Sequence, residues 1–232
     1  MIFSWHITFI LIIIRLITEK EKAMAEELQD ELRKKLASAG VKFIDAETVY
    51  LREDTEIAAG VVIEPFVIIG EKVKIGSGSV IKGFSHIEET VIGENSIIGP
   101  FARLRGGSVI GDNAGVGNFV EIARSTIGNK TAAWHLTYIA DAEFGKNVEI
   151  GGGLVTCNFD GYHKHKTKVG DDSFVGSNVT LIAPVAVGKG AMVAAGTTAS
   201  GDIAADELAV GRPELVHKAG GAERYRRKKA GQ

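Results

Sequence analysis

Proline, cysteine and aromatic residues are all scarce in this chain of 232 residues, which has four prolines, a single cysteine and 7% aromatic residues. One cysteine, Cys157, excludes an intrachain disulfide, so a reducing compartment is compatible with the sequence. Charge of either sign is not in excess: 27 basic and 29 acidic residues leave a formal charge of −2, which excludes the broad cationic surface of a general nucleic-acid binder. Glycine, by contrast, is plentiful at 29 residues, and with 45% hydrophobic residues the chain is long enough to bury one real core. Few aromatics fit an interior too narrow for rings, and many glycines fit a backbone with many corners.

What the chain has is a period of six. Ile57, Ile63, Ile69, Ile75, Ile81 and Ile87 stand six residues apart. The register then slips by one residue and resumes through Ile92, Ile98, Leu104, Ile110, Val116 and Ile122. It slips again to Ile127, Ala133 and Ile139, and returns as Val169, Val175, Leu181, Val187 and Val193. Such a step matches neither the helical period nor simple strand alternation. It fits a short extended segment, a corner, and the return of the next apolar side chain to the same interior line, three steps making one triangular turn of a β-solenoid. Ladder residues are often followed by glycine, as in Ile69-Gly70, Ile98-Gly99, Ile127-Gly128, Val169-Gly170 and Val187-Gly188, where a corner demands either positive φ or close backbone approach. From Ile57 to Ala199 there is room for roughly eight coils rising about 4.8 Å each, a prism about 40 Å long.

The flanks divide into parts. Residues 1–23 include a strongly apolar stretch, 1–17, that is short for a membrane span and carries Arg15, so membrane association is not expected outside it. Residues 24–40 read as an amphipathic helix from Met24 to Ser38 with Leu28, Leu32 and Leu36 on one stripe, suited to capping the first coil. Residues 41–203 form the repeat region. In the tail, 204–232, the ladder stops beyond Asp202, and a Gly211-Arg212-Pro213 turn precedes the basic run Arg224, Arg226, Arg227, Lys228 and Lys229. Between Thr156 and Val169 the segment CNFDGYHKHKTK cannot supply interior rungs and should leave the prism as a polar loop, the kind of feature that carries function on a rigid scaffold.

Six segments, GPFARLR (99–105), GNFVEI (117–122), HLTYIADAEFG (135–145), TCNFDGYHKHKT (156–167), VGSNVTLIAPV (175–185) and LAVGR (208–212), give the chain from about Ala39 to Lys218 its resemblance to a known family. It resembles the acetyltransferase half of the bacterial bifunctional enzyme N-acetylglucosamine-1-phosphate uridylyltransferase/glucosamine-1-phosphate N-acetyltransferase. No glycine-rich nucleotide-binding start precedes the coil, so the uridylyltransferase domain is expected to be absent. The resemblance implies an all-β fold, a left-handed parallel β-helix with an N-terminal α-helix, assembled as a cytoplasmic homotrimer with sites between subunits. It implies acetyl transfer from acetyl-CoA, as co-substrate and without a metal, to the amine of glucosamine 1-phosphate, an amino sugar phosphate that feeds cell-wall and lipopolysaccharide precursors.

The same resemblance assigns residues. His135 matches the general base, an imidazole suited to proton transfer near neutrality. Glu121 matches the carboxylate that orients it. Arg105 would clamp the sugar phosphate through its planar fork. Tyr138, Glu149, Asn158, Phe159 and Lys164 occupy sugar-pocket positions, and Gly152, Ser177, Ala195 and Arg212 the acetyl-CoA side. Several positions depart from the family pattern: the phosphate-binding lysine is Ala123, with Arg124 expected to point away; an asparagine is Glu149, a tyrosine Phe159, a glycine Trp134, and a proline Gly106. These changes concentrate on the acceptor and imply a weakened or retuned sugar site. Rival readings are a hexapeptide acyltransferase with another amino sugar or amine as acceptor, a zinc hydratase of the γ-carbonic-anhydrase kind using His135, His163 and His165, and a non-catalytic trimeric scaffold.

Overall fold

The computed structural model describes residues 2–231, with side-chain surroundings from residue 18 onward. The ladder turns inward along its whole length: Ile63, Ile69, Ile81, Ile87, Ile98, Leu104, Ile122 and Ile139 are fully buried. Each stacks on its counterpart one coil on, as in the parallel registers Ile63 to Ile81, Ile69 to Ile87 and Leu104 to Ile122. Short parallel strands thus form three sheets of ten, eight and eight strands, the three faces of a triangular β-solenoid. β-Branched side chains suit these rungs because they fill a pleated wall in one rotamer.

The one-residue slips fall where Glu89 (φ 44°), Arg124 (φ 51°) and Asp141 (φ 51°) turn a corner early in left-handed conformation. Of the two roles open to the corner glycines, close approach is the commoner one. A Cβ on Gly128 would lie 2.4 Å from the Gly145 carbonyl oxygen, and one on Gly188 would lie 2.4 Å from the Ala205 nitrogen. The left-handed residue comes two positions later, at Lys130 (φ 61°), Asn147 (φ 56°) and Asp172 (φ 60°) for example, where asparagine and aspartate bear it best.

Four expectations are corrected. The ladder does not pause after Ile139: Phe144, Ile150 and Thr156 continue it, paired with Val169, Val175 and Leu181. Phe144 is 2% exposed, so the interior does admit a ring. The amphipathic helix does not begin at Met24; a single helix, α1, runs Ile2–Ser38, because the intervening TEKEKA holds good helix formers and no glycine or proline. The apolar stretch 1–17 lies outside the residues whose side chains are described, and among the described residues no helix is long and apolar enough to cross a membrane. Finally, the coil outlasts Asp202: Ile203 bridges Val187, and Leu208–Ala209 adds the last strand beside Met192–Val193. In the tail the basic run lies on a short exposed helix, α2, Gly221–Lys229.

The C-terminal half of α1 closes the open end of the solenoid. Leu36 is buried in the core and Leu32 packs against it, whereas Leu28 remains 37% exposed. The Gln29 amide substitutes for the missing neighbouring coil, its Nε2 donating to the Leu51 carbonyl and its Oε1 accepting from the Leu51 N–H, both at 2.9 Å. Arg33 Nη1 donates to the carbonyls of Ala46 and Glu47 at 3.0 Å. Edge groups that would otherwise invite another strand are thereby satisfied.

Candidate active site

One edge of the prism gathers the residues of interest through backbone geometry alone. The Asn118 carbonyl accepts from Leu136 N–H at 3.0 Å, that of His135 from Gly153 at 3.3 Å, that of Gly152 from Asn178 at 2.9 Å, and that of Ser177 from Gly196 at 2.8 Å. Each bond joins a corner residue to the residue just after its counterpart one coil on. Asn118, His135, Gly152, Ser177 and Ala195 therefore stand in a single file. Arg212 closes it, its Nη1 donating to the Ala195 carbonyl at 2.7 Å. Three coil rises separate His135 from Ala195, about 14 Å.

The residues after each file member are left-handed, Phe119 at φ 56°, Leu136 at 51°, Gly153 at 83°, Asn178 at 54° and Gly196 at 73°, which makes a second, outward file beside the first. Its lower part is aromatic. Phe66, Phe84, Phe101 and Phe119 stack with centroids 5.0, 4.9 and 5.2 Å apart, and each ring is about half exposed. The stack ends under the exposed Leu136, one residue past His135.

Tight packing fixes the register at His135. A Cβ on Gly117 would fall 1.9 Å from the Trp134 carbonyl oxygen, so the coil that carries the imidazole requires glycine there, while one on Gly115 would fall 2.4 Å from the Trp134 indole, which would have to turn aside. His135 is exposed, and on its far side Gly152 presents no side chain; a Cβ there would lie 3.3 Å from the His135 Cβ. The imidazole does not meet Glu121. Its Nδ1 lies 2.8 Å from Asn118 Oδ1, while the Glu121 carboxylate accepts from Arg105 Nε at 2.8 Å and Nη2 at 2.7 Å. The two coils explain the exchange: Asn118 pairs directly with His135 on the ten-stranded face, whereas Glu121 pairs with Arg103 and Tyr138 around the corner.

A second cluster lies on the adjoining eight-stranded face. Arg124 does not point away from the pocket residues as expected: its Nε and Nη2 hold Asp141 at 2.7 and 3.0 Å, and Asp141 Oδ2 accepts from Asn158 Nδ2 at 2.5 Å. The hydrogen bond from Arg124 holds the Asp141 carboxyl below its usual range, helped by Asn158 and by the charge of Lys164, with burial opposing. Asp141 in turn raises the Arg124 guanidinium, to which the Tyr138 phenol also contributes. Tyr138, Asn158 and Lys164 are thus brought together around a fixed arginine. Ala123 is fully buried and offers nothing to a ligand.

The segment after Thr156 does leave the prism. Phe159 and Lys164 form an antiparallel bridge, and Asp160 knots the turn by accepting from the Tyr162 and His163 N–H groups at 2.8 and 2.6 Å and meeting His165 Nε2 at 2.7 Å. These bonds lower the Asp160 carboxyl to about 2. Phe159 is 59% exposed. Glu149 is not brought to this cluster: it lies exposed between Ala132 and Phe174 on the ten-stranded face. Among the described residues of the single chain no group of three histidine, cysteine, aspartate or glutamate side chains could hold a metal, and His165 is engaged with Asp160.

Comparison with known proteins agrees with this architecture. Residues 46–155 match the model of the GMPPB C-terminal domain, and residues 166–198 that of the hexapeptide repeat of succinyl-transferase. The bifunctional protein GlmU of Zymomonas mobilis is 46% identical over 210 residues, which is 90% of this chain and 47% of the relative. That of Sphingopyxis alaskensis is 45% identical over 90% of this chain and 48% of its own length. The chain spans about half the length of the curated relatives it matches. Among solved structures, LpxA of Bacteroides fragilis, a UDP-N-acetylglucosamine acyltransferase, aligns with TM-score 0.64 and 22% identity over 77% of this chain and 76% of its own. The corresponding acyltransferase of Campylobacter jejuni gives 0.58 and 24% over 76% and 74%. These likenesses establish the fold, the left-handed parallel β-helix of the LpxA type.

Proposed function

This chain is a homologue of the bifunctional GlmU proteins along about half of their length, and on that premise we propose that it transfers an acetyl group from acetyl-CoA to the amine of glucosamine 1-phosphate. The observation that carries the reading is the single file from His135 through Gly152, Ser177 and Ala195 to Arg212. Small side chains along it leave room for an extended pantetheine arm against the backbone, and the guanidinium at its end suits a phosphate of the nucleotide. His135, at the other end, stands where the thioester would lie.

The chemistry then follows from the imidazole. Nε2 of His135 takes a proton from the acceptor amine as its nitrogen attacks the thioester carbonyl carbon. Collapse of the tetrahedral adduct breaks the C–S bond, and the imidazolium returns the proton to the leaving thiolate, giving the amide and coenzyme A. Tyr138, Asn158, Lys164 and Arg105 orient the sugar phosphate, and Glu121 acts on that side by fixing Arg105.

We assign the site to a groove between subunits of a homotrimer. Glu149 and Phe159 would then reach the acceptor from a face of the neighbouring copy, and the half-exposed phenylalanine stack leading to Leu136 is apolar surface suited to burial there. The cytoplasm, where acetyl-CoA and sugar phosphates are made, is the matching location. Coenzyme A release followed with a thiol reagent should depend on glucosamine 1-phosphate. Acetyl-CoA binding undetectable by calorimetry would overturn the assignment.

A second acceptor is favoured by two observations. The phosphate-side lysine is replaced by a buried alanine, and Arg105 is already paired with Glu121, so an amino sugar or amine with less anionic charge fits the same machinery. An acceptor panel at fixed acetyl-CoA separates the two.

A further inference from the structure

The imidazole expected to serve as base has a partner that the sequence motifs do not mark. We propose that Asn118 is the positioning residue for His135, selecting the Nδ1–H tautomer so that Nε2 carries the lone pair that accepts the amine proton. The inference rests on the acetyl-transfer reading above, in which His135 is the base.

Three observations support it. Asn118 Oδ1 stands 2.8 Å from His135 Nδ1, and because a carboxamide oxygen only accepts, this contact is a hydrogen bond when Nδ1 carries the hydrogen. Asn118 and His135 are direct register partners in neighbouring coils, and the backbone contact between Gly117 and Trp134 leaves no room for that register to drift. Last, the charged alternative is committed elsewhere, because Glu121 is held by both Arg105 Nε and Nη2.

Within the chain the groups packed on the imidazole are uncharged. Asn118 packs on it from the preceding coil and Gly152 from the following one, and in its own coil Thr137 Oγ1 donates to the His135 carbonyl at 2.7 Å. A neutral orienter fixes the tautomer without the electrostatic pull that a carboxylate exerts on an imidazolium.

The test uses the full chain and two variants. In Asn118→Ala, kcat should fall on the order of ten- to a hundredfold with KM for acetyl-CoA unchanged. In Asn118→Asp, an acceptor of the same shape, most of kcat should return, and the acidic limb of the kcat profile should move up by about one pH unit. Ring nitrogen NMR of labelled His135 reads the tautomer without any substrate: Nδ1–H in the wild type and in Asn118→Asp, a mixture in Asn118→Ala. An Nε2–H wild type, an unchanged kcat in Asn118→Ala, or an Asn118→Asp profile with an unmoved acidic limb would overturn the proposal. A wild type that holds the Nδ1–H tautomer and binds acetyl-CoA, but acetylates no amine, would instead overturn the reaction on which it rests.

Discussion

Replacing Gly117 with alanine tests whether the coil contact under His135 is as tight as the structure requires. The added Cβ would sit 1.9 Å from the Trp134 carbonyl oxygen and 2.5 Å from its carbonyl carbon. Both are backbone atoms, so no side chain can rotate aside and the two coils must separate. Overpacking of this kind costs typically 1–3 kcal/mol, and a backbone-on-backbone clash belongs at the upper end, about 3 kcal/mol. For a chain of this size that corresponds to a fall in Tm of about 6–12 °C. Gly107→Ala is the control: Gly107 has φ +81° but nothing within 4 Å of the added methyl, so only backbone strain of about 1–2 kcal/mol applies. Because the separated coils carry Asn118 and His135, Gly117→Ala should also lose more than tenfold in kcat at temperatures where it is still folded, and Gly107→Ala should keep its activity. Scanning calorimetry and the thiol-release assay measure the two effects. Melting of Gly117→Ala within 2 °C of the wild type would refute the packing account.

Three other outcomes follow from separate parts of the fold. Gln29→Ala strands the Leu51 N–H and carbonyl at the solenoid's end, costing about 2–4 kcal/mol, and hydrogen exchange should quicken first at that coil; uniform protection would contradict the capping role. Asp141 has a depressed native pKa, so its contribution is fully present above the ordinary carboxylate range and is lost as pH falls through the native value; the stability gap between wild type and Asp141→Asn should be constant from pH 7 to about 5 and close below about 4 in denaturant titrations. Arg212→Ala removes the guanidinium at the end of the file and should raise KM for acetyl-CoA on the order of ten- to a hundredfold while kcat changes little.

The ladder was legible because a six-residue step leaves every interior position at a fixed place in the sequence, and the pairings of Ile57 through Val193 follow that spacing. Phe144 and Thr156 do not fit a template of aliphatic rungs, which leaves Ile150 isolated between them; Thr156 is tolerated inside since its Oγ1 accepts from the Ala140 N–H at 2.8 Å. The start of α1 is not legible at Met24, because the stripe of Leu28, Leu32 and Leu36 marks the face that packs on the coil and not where the helix begins, and helix propensity does not change there. At the site, His135, Ser177 and Arg212 lie in segments that carry the resemblance, but their alignment with Gly152 and Ala195 depends on corners that only the coil geometry supplies. Asn118 was missed because its importance lies in pairing across one coil, 17 residues from His135, and asparagine in GNFVEI carries no signal of its own. Arg124 was misplaced by strand alternation, which does not apply to a left-handed corner residue at φ 51°.

The most direct test of the central claim is a crystal structure with acetyl-CoA bound. The account predicts a pantetheine arm lying along Gly152, Ser177 and Ala195, a nucleotide phosphate at Arg212, and the thioester facing Nε2 of His135. A cofactor lying on another edge of the prism, or a thioester out of reach of that nitrogen, would contradict it.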